Sequence, residues 1–167
     1  MIKNQTDKIS INKNQTKNFK IAIVKTNYYI ENIALLEKHA ISTLTKNGVL
    51  QENIKSFTAP GSWEIPLLAQ KIALSKKFDA IIAFGIIIKG ETYHFEMIAN
   101  ECARALMQIS LNHNIPIAIE VLAVYDKKQA EKRASDNDFN KGIEAATAVL
   151  KTLSEINKIN HLSSWKP

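Results

Sequence analysis

The sequence predicts an α/β domain of three layers, a four-stranded parallel sheet between two layers of helices. Three observations predict it. Short, almost wholly apolar runs alternate along the chain with longer stretches of helical periodicity. The run over 79–85 is read as fully apolar and 19–24 as buried, as strands covered on both faces are. A length of 167 residues suits one compact domain. A strand followed by a helix and a parallel strand needs a right-handed crossover, which places a covering helix on the sheet each time.

The elements follow in order. Residues 1–18 are Asn, Lys, Gln and Thr without periodicity, and read as a disordered arm. Residues 19–24 (FKIAIV) read as a buried strand. Apolar residues at 33, 36, 40, 41 and 44 predict a helix over 31–47, with Gly48 as its stop. Ile54–Ala59 reads as a second strand, ended by Pro60-Gly61. A helix over 63–76 tolerates Pro66 in its first turn. Residues 79–85 (DAIIAFG) are a third strand. Positions 95, 98, 99, 102, 105, 106 and 109 form one face of a long helix over 91–112. A fourth strand over 115–123 and helices over Lys127–Ala134 and 141–156 complete a single domain of residues 19–156. Residues 157–167 read as a tail.

Composition excludes several classes of function. With 46% hydrophobic and 23% charged residues, the chain is neither disordered, collagen-like nor a coiled coil. The longest apolar run, around 80–88, stops at Lys89, well short of the roughly 20 residues of a membrane span. The net charge of +6 is half in the arm, where Lys3, Lys8, Lys13 and Lys17 oppose Asp7 alone. The rest is a mildly basic body with Lys and Glu interleaved, a solvated surface without a basic stripe, so no nucleic-acid partner is expected. The single Cys102 allows no intrachain disulfide and no cysteine metal cluster. Residues 1–18 have neither a secretory apolar core nor the Arg content of a transit peptide, which makes the cytoplasm the expected location.

In parallel sheets of this kind ligands bind at the carboxyl ends of the strands, so the site loops are 25–29, 60–64, 85–94 and 123–133. In the third, Gly90 precedes a long helix whose free N–H groups and dipole suit an anion, and Thr92 adds a hydroxyl. It is not a Walker A loop, and an ordinary helix start looks similar. His94, read as one turn into that helix, is a proton carrier if it faces a ligand and a surface histidine if it does not. His39, His113 and His161 form no metal-ligand spacing with it. Among 22 basic residues only Arg104 and Arg133 are arginines, which singles them out where a bidentate fork to an anion is needed. Arg104, mid-helix near Glu101, reads as an ion pair.

Four segments carry a resemblance: Pro60-Gly61-Ser62-Trp63-Glu64-Ile65-Pro66, Lys89-Gly90-Glu91-Thr92-Tyr93-His94-Phe95-Glu96, Ala99-Asn100-Glu101 and Asn140-Lys141-Gly142. In this order and spacing they resemble the signatures of the lumazine synthases, over roughly four-fifths of the chain. The resemblance implies a flavodoxin-like topology and a transferase of riboflavin biosynthesis that uses no metal or organic cofactor. Such an enzyme condenses 5-amino-6-ribitylaminouracil with 3,4-dihydroxy-2-butanone 4-phosphate, through an imine, loss of phosphate and ring closure.

Residue by residue, the resemblance makes His94 the proton-transfer catalyst. It assigns phosphate binding to Gly90, Glu91, Thr92, Arg133 and Lys141. Tyr28 falls where an aromatic stacks on the pyrimidine, Ser62, Trp63 and Glu64 on ribityl and ring contacts, and Ile86, Ile87 and Ile88 on backbone contacts to the uracil edge. Ile119 stands where a neighbouring subunit often contributes an aromatic. The chain departs from the pattern at Tyr28-Tyr29 in place of Phe-Asn, at Lys89 in place of Arg, and at Ala123-Val124-Tyr125-Asp126 in place of a Thr-Thr pair.

The resemblance further implies a homo-oligomer, a ring of five with sites at the interfaces. Shell-forming members carry glycine in the turn before the last helix. Residues 134–140 have none, with Asn137 as the one partial substitute, so a pentamer is expected rather than a shell. Two other readings compete with the enzyme. One is an inactive flavin- or lumazine-binding paralogue, which intact His94 and Arg133 oppose. The other is a phosphorylated receiver, which needs acidic residues at the strand ends, whereas the first strand ends Val24-Lys25-Thr26.

Overall fold

The computed structural model describes residues 13–162. Its elements are α1 (Lys13–Thr16), β1 (Ile21–Thr26), α2 (Ile30–Lys46), β2 (Ile54–Ala59), α3 (Ile65–Ser75), β3 (Ala80–Ile88), α4 (His94–His113), β4 (Ile117–Val124), α5 (Lys127–Ala134) and α6 (Lys141–Leu162). Single 3₁₀ turns at Gln51–Asn53 and Ser62–Glu64 precede β2 and α3. The four strands are all parallel, in the order β2-β1-β3-β4. This is the three-layer α/β/α architecture that the sequence predicts, with flavodoxin-like order and its switch point between β1 and β3.

Alternation along the strands sends side chains into two cores. Ile21 and Ile23 of β1, with Ile82, Phe84 and Ile86 of β3, face α2, α5 and α6. Ala22 and Val24, with Ile81 and Ala83, face α3 and α4, where Ile65, Ala69, Cys102 and Leu106 fill the space. Period 2 in the strands and the apolar stripes of the helices thus meet on both faces. Among the described residues, no helix is long and apolar enough to cross a membrane.

Four expectations change. Ordered packing begins before residue 19: Lys13–Thr16 is a helical turn, and the fully buried Thr16 donates its hydroxyl hydrogen to Asn47 O, 2.6 Å away, with Lys13 O at 3.1 Å. Residues 1–12 of the arm lie outside the described residues. The last helix does not stop at 156 but runs to Leu162, while residues 163–167 also lie outside. The long helix begins at His94 rather than 91, so His94 is its first residue and Gly90, Glu91 and Thr92 form the loop before it. Asn137 does not stand in for glycine: positive φ among non-glycine residues occurs at Tyr29, Lys76 and Asn114 alone among the described residues.

Candidate active site

The carboxyl ends of β1, β2 and β3 bring one group of expected residues together. Beyond β1, Tyr29 takes a left-handed conformation (φ 54°) as the N-cap of α2, a turn that leaves Tyr28 64% exposed. A β-carbon built on Gly61 would stand 3.1 Å from a Glu64 carboxylate oxygen and 3.7 Å from the Tyr28 ring, so Tyr28 and Glu64 converge over that glycine. One built on Gly85, in β3, would lie 2.8 Å from Ser62 Oγ. The absence of a side chain at 85 therefore seats Ser62 against the sheet. From α4, Cys102 Sγ donates to Ser62 O at 3.3 Å. Burial pushes this thiol up to about 11, so it is protonated at neutral pH and serves as a donor. Trp63 remains half exposed beside it.

β3 outruns β1. Their pairing ends at Lys25–Phe84, whereas β3 continues to Ile88 alongside β4. Past Phe84 the β1-facing edge of β3 has no strand beside it, which leaves backbone donors and acceptors for a ligand. Ile86 and Ile87 are buried and Ile88 half-buried, so backbone rather than side chains is what this edge offers.

The loop 89–93 is tied down by Lys89. Its Nζ is 3.0 Å from Glu96 Oε1 and lies 6.0 and 5.7 Å from the centroids of Phe95 and Tyr125. The hydrogen bond and the charges of this pair raise the pKa of Lys89 and lower that of Glu96. Gly90, Glu91 and Thr92 are exposed, and a β-carbon at Gly90 would meet nothing within 4 Å. Its glycine therefore answers to no contact within the protomer. No side chain caps the N-terminus of α4. Its first N–H groups and the exposed His94 ring thus stand together at the positive end of a 20-residue helix.

The remaining expected residues lie elsewhere. Ile119 sits on the sheet edge in β4, on the α3 and α4 face. Arg133, near the end of α5, donates Nη1–H to Gln129 O at 3.0 Å. Lys141, at the start of α6, forms an ion pair with Glu144. Among the described residues, no hydrogen bond or ion pair joins Arg133 or Lys141 to the loop of His94. Within one protomer the expected residues thus fall apart: Tyr28, the 62–64 turn, the β3 edge and His94 follow the carboxyl ends of β1, β2 and β3, Arg133 and Lys141 lie on α5 and α6, and Ile119 is on the opposite face of the sheet.

Structure also separates architecture from chemistry inside the motifs. Asn140 caps α6, accepting from Gly142 N at 2.8 Å and donating to Ser135 O at 2.9 Å, so of Asn140-Lys141-Gly142 only Lys141, paired with Glu144, carries a side chain outside the cap. Asp126 caps α5 by accepting from Gln129 N at 2.8 Å, and Tyr125 packs on Phe95 with centroids 6.4 Å apart. The unusual 123–126 segment is therefore built in at both ends. Arg104 pairs with Glu101, as expected. Sequence reasoning missed Cys102 as the support of Ser62, although its place on the apolar stripe was the signal. It also missed Glu120, a carboxylate within an otherwise apolar strand.

Comparison with known protein families agrees with this geometry. The sequence model of 6,7-dimethyl-8-ribityllumazine synthase matches residues 18–157, a span that contains all four strands and every expected site residue named above. With this match over most of its length and a parallel 2-1-3-4 sheet, the chain belongs to the 6,7-dimethyl-8-ribityllumazine synthase family.

Proposed function

We propose that this protein catalyses the condensation of 5-amino-6-ribitylaminouracil with 3,4-dihydroxy-2-butanone 4-phosphate to 6,7-dimethyl-8-ribityllumazine, in riboflavin biosynthesis. The observation that carries the reading is the uncapped N-terminus of α4 with His94 as its first residue, beside a strand edge left open by β1. The open edge of residues 86–88 suits the polar rim of a uracil, with Tyr28 as the stacking face and Ser62, Trp63 and Glu64 for the ring and ribityl hydroxyls. The helix terminus and the 90–92 loop suit a phosphate. His94, next to that anion, is placed to move protons as the imine forms, phosphate departs and the ring closes with loss of water.

Arg133 and Lys141 complete the anion site from a second copy of the chain, in a homopentamer of about 5 × 18.7 kDa. Two observations support assembly. Within one protomer the basic half-site is not joined to His94, and Tyr28, Trp63, Tyr93, Met97, Met107 and Leu111 are exposed apolar side chains that a lone domain seldom leaves in water.

The test is the absorbance of lumazine formed from the two purified substrates, in buffer containing EDTA. Product supports the reading. Tight binding of lumazine or flavin without product overturns it in favour of a carrier, and activity that EDTA abolishes and a divalent ion restores overturns the metal-free chemistry.

A further inference from the structure

Glu120 is the residue of this fold that neither core nor candidate site accounts for. On β4 it follows the alternation of Ala118 and Leu122, so it points to the α6 side of the sheet, and its register partner on β3 is the fully buried Phe84. The charges that reach it both come from the first turn of α6, Lys141 and Glu144, and those two form an ion pair with each other. Of the other elements packed on β4, β3 presents apolar side chains on this face and α4 covers the opposite face. On α5, Lys127 pairs with Glu131, and Arg133 is turned to Gln129 O. Among the described residues, Glu120 makes no hydrogen bond or ion pair of its own. The result is one cation whose charge is felt by two carboxylates: Glu144, which pairs with Lys141, and Glu120, half-buried beside apolar neighbours where β4 packs on α6.

Such a cluster is poorly set for an anion while both carboxylates are charged, because a phosphate arriving at Lys141 meets a net negative group. Neutralising one carboxylate removes that repulsion, and the desolvated one gives up its charge more cheaply. We propose that Glu120 is a positioning residue that couples anion binding at Lys141 to uptake of a proton, so that the anion binds the cluster with Glu120 neutral and Lys141 released from its second carboxylate. The proposal rests on Lys141 belonging to the phosphate site.

Burial pushes the Glu120 carboxyl up to about 7, against the pull of Lys141 and with the push of Glu144, so the proton is exchanged in the neutral range. Linkage fixes the sign. If the bound anion raises this pKa further, the protonated form binds it more tightly, and affinity falls as pH rises through neutrality.

Sulfate is the probe, because its charge is constant where phosphate titrates. Binding to the assembled protein is measured by calorimetry at pH 6 and pH 8, for wild type, Glu120→Gln and Glu120→Asp, in buffers of different ionisation enthalpy. Wild type should lose about fivefold more affinity across this interval than Glu120→Gln. Proton uptake should fall in Glu120→Gln and persist in Glu120→Asp. The KM for the phosphorylated substrate should follow the same pattern, with kcat little changed. Equal pH slopes in wild type and Glu120→Gln overturn the proposal. So does the absence of sulfate binding, even if lumazine forms and the catalytic reading stands. Coupled sulfate binding without lumazine formation supports the coupling and removes the enzyme assignment instead.

Discussion

Gly142 of α6 stands directly against the backbone of Leu36 in α2: a β-carbon built on it would be 2.9 Å from the Leu36 carbonyl carbon and closer still to the oxygen. The obstacle is backbone, so no rotamer change relieves it. Asn140 Oδ1, 2.9 Å from the same point, is the cap of α6 and cannot retreat without losing the Gly142 N–H. This contact fixes where α6 begins, and so where Lys141 stands. Gly142→Ala should destabilise the fold by about 3 kcal/mol, the upper part of the range for overpacking. Urea unfolding checks this, and a loss under 1 kcal/mol would contradict the close approach.

Tyr29 holds φ at 54°, a conformation that costs a bulky residue and suits asparagine or glycine. The side chain is partly exposed, so little packing is lost on replacement. Tyr29→Asn should therefore raise stability by about 0.5–1 kcal/mol. A thermal melt that moves downward would show that the ring contributes more than its strain costs.

Thr16 links the described end of the arm to the loop after α2. Replacing its hydroxyl by a methyl in Thr16→Val leaves Asn47 O without this donor, which should cost about 1–2 kcal/mol. Amide hydrogen exchange should quicken in residues 13–20 and 47–50 first. Unchanged protection there would mean that the turn does not hold the loop.

Much of this was legible in the chain itself. The strand cores at 21–24 and 80–85 are apolar runs with no competing pattern, the mixed strand 54–59 is bounded by Pro60-Gly61, and Lys127–Ala134 has the bounds that its charged periodicity and the preceding Asp126 imply. Helix starts were less legible. The start of α4 was placed too early because Glu91 and Thr92 are acceptable helix residues, and only the Lys89–Glu96 clasp and the ring of Phe95 on Tyr125 hold them out of the helix. Thr16 was unreadable for a similar reason, since its partner is 31 residues away. At the site, His94 and the 62–64 turn could be read from motifs. The separation of Arg133 and Lys141 from His94 could not, because it is a property of where α5 and α6 lie relative to β3.

The raised pKa of Glu120 has a consequence for stability independent of any ligand. The folded state holds its proton up to about pH 7, whereas the unfolded chain releases it near the ordinary value of 4.5. Folding thus gains from Glu120 below that ordinary value and loses the gain as pH rises through 7. Glu120→Gln should flatten the pH dependence between about 4.5 and 7 and stabilise the protein at pH 8 by on the order of 2 kcal/mol. Parallel melting curves for the two proteins across this window would place the carboxylate in water.

The proposed division of the site between two copies of the chain predicts a complementation. His94→Ala should slow turnover by about 10²–10⁴-fold with the phosphorylated substrate still bound, since it removes a proton carrier and no anchoring charge. Arg133→Ala should weaken that substrate by roughly 2–5 kcal/mol, the range for truncating one partner of a desolvated ion pair, and leave His94 in place. Each variant alone is then nearly inactive below saturation. Unfolded together, mixed in equal amounts and refolded, they form rings in which a site is intact wherever the His94 half comes from the Arg133→Ala chain and the Arg133 half from its neighbour. Random order around a ring makes this roughly one site in four, so activity should return to about a quarter of wild type. A site built within one protomer gives no recovery at any mixing ratio, because every chain carries one of the two lesions. Recovery that rises and falls with the mixing ratio, peaking at equal amounts, is the signature of a catalytic histidine and a phosphate arginine held by different chains.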